Sequence, residues 1–203
     1  MRSYPIVRGL FTTGLITGMV VGATAVPGRA NPHANRFREF VLPNPGSEPR
    51  GITAGPDGNL WFTEGVANQI GRITTTGVVT EFPVPTSGSY PLGITTGRDG
   101  NLWFTESFGN KIGRITIAGV ITEFPITTTV NPAPEGITTG PDRNLWFTEA
   151  TGGQIARITT AGAIRESPFK PRIRPYGITA GGDGNIWFTE YEGNAIAEFR
   201  LLH

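Results

Sequence analysis

From about residue 37 onward the chain is built of apolar-rich runs of five or six residues, separated by clusters of Gly, Pro, Asp and Asn. In the run LWFTE the side chains alternate: Trp and Thr share one face, Phe and Glu the other, as a pleated strand requires. Just upstream, GITAG reads as a second strand, and the PDGN between them supplies turn torsions. Downstream, QIGRITTTGVVTEFPV reads as a third strand, a Thr-Gly turn and a fourth strand. Leu-rich amphipathic stretches of helical period are absent, which excludes an all-α protein.

This four-strand set recurs. NLWFTE occurs at 59–64, 101–106 and 144–149, and NIWFTE at 185–190, so that Trp61, Trp103, Trp146 and Trp187 are spaced by 42, 43 and 41 residues. A P-x-G-I-T element precedes each, starting at Pro49, Pro91, Pro134 and Pro175. An I-[GA]-R-I-T element follows the first three, with IAEFR as a divergent fourth, and T-E-F-P completes the unit at 80–83 and 122–125. A period near 40–45 residues with four strands per unit predicts an all-β fold, a β-propeller of four-stranded blades with four blades in this chain. The segment RFREFVLPNP matches a fourth strand and the C-terminal NAIAEFRLLH a third, so residues 37–43 are expected to pair beside 194–200 and close the ring. Half of an eight-bladed dimer is the alternative.

Composition narrows the chemistry. The absence of cysteine excludes a disulfide scaffold, a Cys-ligated metal and a thiol nucleophile. The two histidines, His33 and His203, lie near the chain ends, and neither is suited to a catalytic triad. Residues 1–8 carry two arginines and no acid, residues 9–26 are uncharged, and Gly28-Arg29-Ala30 offers a small-x-small site, with Ala23-Thr24-Ala25 a second. This is the order of a secretory signal peptide, predicting a leader over 1–30, a flexible lead over 31–36 and a propeller over 37–203, secreted or periplasmic and free of the membrane after cleavage. Removing Arg2, Arg8 and Arg29 leaves 14 basic against 16 acidic residues, without the basic footprint of a nucleic-acid binder.

The string P-x-G-I-T-x-G-x-D-G-N-L-W-F-T-E-x-x-x-N-x-I-G-R-I-T, followed by T-E-F-P-x-P-T, resembles the blade signature of the streptogramin B (virginiamycin B) lyases over residues 37–203. The resemblance implies a seven-bladed propeller, of which this chain reads as a truncated relative. It also implies a magnesium-assisted elimination that opens the ester ring of a cyclic depsipeptide, with no organic cofactor. The family pattern places a catalytic histidine at the x of a P-x-G element, one metal-binding glutamate two residues earlier and another at the end of the following W-F-T-E. The x positions here are Arg50, Leu92, Glu135 and Tyr176, and none is histidine. Only the first copy has an acid two residues before x, so the resemblance singles out Glu48 and Glu64 as the carboxylate pair for Mg²⁺ or Ca²⁺.

An elimination needs a base for the α-proton and a cation or donor for the ester carbonyl. Arginine stays protonated and cannot be that base, although it can hold an oxyanion or carboxylate. Catalytic candidates are therefore Arg50, Glu135 and Tyr176, and the four copy-specific residues Arg50, Leu92, Glu135 and Tyr176 are the expected ligand-binding set at one channel mouth. Positions repeated in every copy read as scaffold: the W-F-T-E glutamates, expected to pair with Arg72, Arg114 or Arg157, and the turn aspartates Asp57, Asp99, Asp142 and Asp183. Three functional classes follow: a metal-dependent lyase, a non-catalytic propeller holding a small molecule or peptide at the mouth, and an assembly scaffold. Each suits a monomer or a homodimer.

Overall fold

The computed structural model describes residues 20–22, 37–127, 130–168 and 174–201. Each copy of the repeat folds as its own antiparallel sheet. Blade 1 contains β2 (Pro49–Ala54), β3 (Leu60–Glu64), β4 (Gln69–Ile73) and β5 (Val78–Pro83), in sequential order. A short β1 (Val20–Gly22) pairs with the outer edge of β5. Blade 2 contains β6 (Pro91–Thr96), β7 (Leu102–Glu106), β8 (Lys111–Ile115) and β9 (Ile121–Pro125). Blade 3 contains β10 (Pro134–Thr139), β11 (Leu145–Glu149), β12 (Gln154–Ile158) and β13 (Ile164–Pro168). The last sheet has three strands, β14 (Pro175–Ala180), β15 (Ile186–Glu190) and β16 (Ala195–Phe199). Except for residues 20–22, the segments read as leader and lead, 1–30 and 31–36, lie outside the described residues, as do His33 and His203.

The core lies between blades. Trp61 and Ile70 of blade 1 pack with Ile94, Leu102, Phe104 and Ile115 of blade 2. Trp103 and Ile112 meet Ile137, Leu145, Phe147 and Ile158 in the same way, and Trp146 and Ile155 meet Ile186 and Phe188. Trp61, Trp103, Phe104 and Phe147 are fully buried, each contributing on the order of 2–3 kcal/mol through removal of apolar surface from water. Each indole N–H donates to its turn aspartate, at 3.0 Å for Asp57, 3.1 Å for Asp99, 3.0 Å for Asp142 and 3.1 Å for Asp183. Hydrogen bonds from Asn and Trp hold all four carboxyls below the usual aspartate range, against the partial burial of three of them. The turn aspartates are thus structural.

Two expectations are corrected. Residues 37–43, expected beside 194–200, form no strand and do not pair with β16, so these two segments do not make the expected closure. Instead Phe40 lies over Gly77, whose added Cβ would come within 2.0 Å of the ring, just as Phe82 lies over Gly119 and Phe124 over Gly162. The segment occupies the place of a fourth strand in a blade preceding blade 1. The second correction concerns the repeated arginines. Arg72, Arg114 and Arg157 lie directly across from Trp61, Trp103 and Trp146, on the indole face, and stack on those rings. The W-F-T-E glutamates stand three residues along, opposite Gln69, Lys111 and Gln154, out of step with the arginines.

Candidate functional site

All four innermost strands carry the same irregularity. In β2 the register shifts between Pro49, opposite Glu64, and Ile52, opposite Phe62, and the same shift recurs in β6, β10 and β14. One extra residue is thereby accommodated at the x-G step, a β-bulge that re-aims the side chain at x. The glycine following x is required by close packing: a Cβ on Gly51 would lie 2.6 Å from the Leu92 carbonyl oxygen, and one on Gly93 equally close to that of Glu135.

A threonine relay fixes the backbone here. The Gly51 N–H donates to Thr63 Oγ1 at 2.9 Å, and the Thr63 hydroxyl donates to the Leu92 carbonyl at 2.7 Å. Gly93, Thr105 and the Glu135 carbonyl repeat the pattern, as do Gly136, Thr148 and the Tyr176 carbonyl. The residue before each proline, Glu48, Tyr90, Ala133 or Arg174, has a positive φ of 42–53°, and its carbonyl accepts from the N–H just past the end of the second strand. Every copy therefore holds two side chains, one on each side of the proline, at the same end of the blade.

There the copy-specific residues converge. Arg50, Leu92, Glu135 and Tyr176, with the glycines that follow them, line one cavity of about 280 Å³. Arg50 is exposed and donates to Glu48 and to the Tyr90 hydroxyl, while Tyr90 donates to Glu48 at 3.0 Å. Tyr90 stacks on Phe108 with ring centroids 4.8 Å apart. Glu135 is half-buried. Burial raises its pKa, and the charges of Arg174 and Arg50 partly oppose that rise. A second hollow, beside Tyr176, is lined by Arg174 and Tyr191. Tyr90 and Arg174 were not among the sequence-derived candidates. Their signal was the position before proline, which also varies from copy to copy.

Glu48 and Glu64 have different surroundings. Glu48 is engaged by Arg50 and Tyr90 at the mouth. Glu64 is fully buried, neither of its oxygens has a hydrogen-bond partner among the described residues, and burial raises its pKa. The groups that act on it are Ser47, which eases the rise, and Glu81, which adds to it. Among the described residues no three His, Cys, Asp or Glu side chains are grouped to hold a metal. The divalent cation implied by the resemblance does not fit this pair as arranged, because the Glu48 carboxylate is already ion-paired with Arg50 and Glu64 is fully buried.

Blades with interlocked inner strands and one groove shared among them define a β-propeller scaffold that presents its variable residues from the innermost strands. The chain belongs to the Virginiamycin B lyase family, which it matches over residues 26–201. A catalytically inactive histidine-to-alanine variant of virginiamycin B lyase from Staphylococcus aureus, solved with quinupristin, is 49% identical with a TM-score of 0.75, over 80% of this chain and 58% of that one. A streptogramin B lyase structure is 44% identical with a TM-score of 0.73, over 82% of this chain and 60% of that one. Virginiamycin B lyase from Bacillus licheniformis is 45% identical over 42 residues, one blade's length, which is 21% of this chain and 14% of that protein. The chain thus spans about three fifths of these solved relatives and a smaller share of that enzyme.

Proposed function

We propose that these blades form an exported ligand-binding propeller of the lyase family that holds a peptidic or depsipeptide ligand over the inner strands without opening it. The supporting observation is the convergence of Arg50, Leu92, Glu135 and Tyr176 on one cavity, each presented by the same bulge while the scaffold around it repeats. Arg50 supplies a cation for a carbonyl or carboxylate, Leu92 and Tyr176 supply apolar area, and Glu135 accepts from an amide. Among the described residues the groove holds no histidine.

Quinupristin is the first probe. Calorimetry should give saturable binding that Arg50→Ala weakens at least tenfold, and absence of binding refutes the reading. Export is part of the same reading, and N-terminal sequencing of protein secreted by the producing cell should begin at Asn31, or near Val26.

A ring-opening lyase is the second reading, favoured by the identity to the Staphylococcus aureus enzyme. Its base would be Glu135, the groove carboxyl whose burial raises its basicity, with Arg50 holding the ester carbonyl oxygen. Removal of the α-proton, formation of a C=C bond and departure of the carboxylate leave the mass unchanged, whereas hydrolysis adds one water. Liquid chromatography with mass detection, with and without Mg²⁺, separates these outcomes.

A further inference from the structure

The groove lined by Arg50, Leu92, Glu135 and Tyr176 lies where the innermost strands begin. At the other end of the blades each innermost strand turns into the next through five residues, 55–59, 97–101, 140–144 and 181–185. Gly, Asp and Asn recur at the first, third and fifth places of every turn, and the Asp receives the indole of the following Trp. The other two places vary. The second is Pro56, Arg98, Pro141 or Gly182, and the fourth is Gly58, Gly100, Arg143 or Gly184. The two arginines belong to different blades and different turn positions, yet both line one cavity of about 470 Å³, together with Asp99 and Thr160.

The repeat itself has no need of either arginine. Both are exposed, and among the described residues neither guanidinium has an ion-pair or hydrogen-bond partner. Arg143 has a φ of 68° where Gly58, Gly100 and Gly184 have 76°, 74° and 81°, a left-handed backbone that disfavours any residue with a Cβ. A strained residue kept in such a place calls for a use of its side chain. A third guanidinium stands close by, because Arg114 donates to the Thr160 carbonyl at 3.4 Å. Its counterparts pair with their turn aspartates, Arg72 with Asp57 at 4.0 Å and Arg157 with Asp142 at 3.4 Å, whereas Asp99 has no ion pair among the described residues.

Guanidinium forks recognise phosphate-type oxyanions through paired N–H groups. Asp99 adds a second requirement. An ionised carboxylate has about four acceptor sites. Three donors occupy those of Asp99: the Asn101 backbone N–H, the Asn101 amide and the Trp103 indole. What remains repels a fully ionised oxyanion but accepts from a ligand hydroxyl. Hydrogen phosphate carries such a hydroxyl at neutral pH, and sulfate does not.

We propose that Arg98 and Arg143 form a phosphate-binding site between blades 2 and 3, in which Asp99 and the Thr160 hydroxyl accept from a P–OH group or a neighbouring alcohol. One guanidinium from each blade holds the charged oxygens. The cavity has room for the free ion and for the body of a small phosphorylated alcohol. This inference is independent of the ligand reading of the groove, which lies at the opposite end of the blades.

Calorimetric titration of the purified chain at neutral pH and constant ionic strength, with inorganic phosphate and separately with glycerol 3-phosphate, tests the site. Saturable binding near one per chain is expected, and the tighter of the two compounds distinguishes a site for the free ion from one for a phosphorylated alcohol. Arg98→Pro and Arg143→Gly, which install residues that other blades carry at these places, should each weaken binding about tenfold or more. Arg50→Ala removes one positive charge at the other end and should leave the affinity unchanged. Sulfate should bind about tenfold more weakly than phosphate, and Asp99→Asn should narrow that gap. The proposal is overturned by absence of saturable binding, by sulfate binding as tightly as phosphate, by indifference to Arg98→Pro and Arg143→Gly, or by an equal loss in Arg50→Ala.

Discussion

Replacing Glu106 by Gln should stabilise blade 2 in a strongly pH-dependent way. Glu106 is fully buried, and its pKa is raised from 4.5 to about 7, first by burial and then by the nearby Glu123 carboxylate, with Lys111 and Ser89 opposing. The unfolded chain releases this proton near pH 4.5 and the folded chain only near 7. The contribution to stability is therefore intact below pH 4.5 and is lost as pH rises through 7. At about 1.36 kcal/mol per pKa unit, the loss amounts to about 3 kcal/mol by pH 8. Glutamine mimics the protonated carboxyl and cannot ionise. Any packing penalty it brings is the same at every pH, so the diagnostic is the change in the variant's advantage between pH 4 and pH 8. With an m-value of about 2 kcal/mol per M urea, the midpoint difference between variant and parent should grow by about 1.5 M across that range. Acid-sensitive groups that do not act on Glu106, such as Asp99, contribute in both proteins and cancel in the comparison. An advantage that does not vary with pH would show that Glu106 is not a suppressed acid, and the reasoning would fail.

Other outcomes follow from the same geometry. Asp99→Ala deprives the buried Trp103 indole of its acceptor and should cost about 1–3 kcal/mol in urea melts. Because hydrogen bonds hold the turn aspartates below their usual range, the stability they provide is present above pH 3.8 and lost as pH falls through their lower folded values, so the parent should also weaken in strong acid. Arg143 has a φ of 68° where the other copies place glycine, and Arg143→Gly should raise stability by about 0.5–1 kcal/mol after the entropy cost of glycine. Titration with MgCl₂ should reveal no saturable site altered by Glu64→Gln; a site that this change removes would reinstate the Glu48–Glu64 pair. If ring opening of quinupristin is observed, Glu135→Gln should abolish it while leaving binding within a few-fold.

The blade, its four strands and its period were legible because Trp, Asp-Gly-Asn and P-x-G recur at nearly constant spacing, and repetition averages out the ambiguity of any single strand. The alignment of Arg50, Leu92, Glu135 and Tyr176 was legible for the same reason. Closure was not. The motif in residues 37–43 specifies a kind of strand, but not which edge is present to receive it. The Arg–Glu pairing was also misjudged, although strand parity decides it: Arg72 lies across from Trp61, which leaves Glu64 opposite Gln69. The positive φ of Glu48, Tyr90 and Arg174 had no sequence signal, since residues before proline favour extended backbone. Of the three, only Glu48 was singled out from the sequence, and this backbone geometry is what brings Tyr90 and Arg174 to the same end of the blades.

The threonine relay separates what must stay fixed from what can change. Each link binds a glycine N–H, a hydroxyl and a carbonyl, and none of these belongs to the side chain at x. The frame is therefore indifferent to whether that side chain is Arg, Leu, Glu or Tyr. Each blade works like one pin of a tumbler lock, held at a set height by the barrel and cut to any length. On the proposed ligand-binding reading, exchanging a single pin, or duplicating a whole blade, would change what the groove accepts at almost no cost to the frame. A stability screen of x-position libraries would be nearly flat while a binding screen of the same libraries is steep.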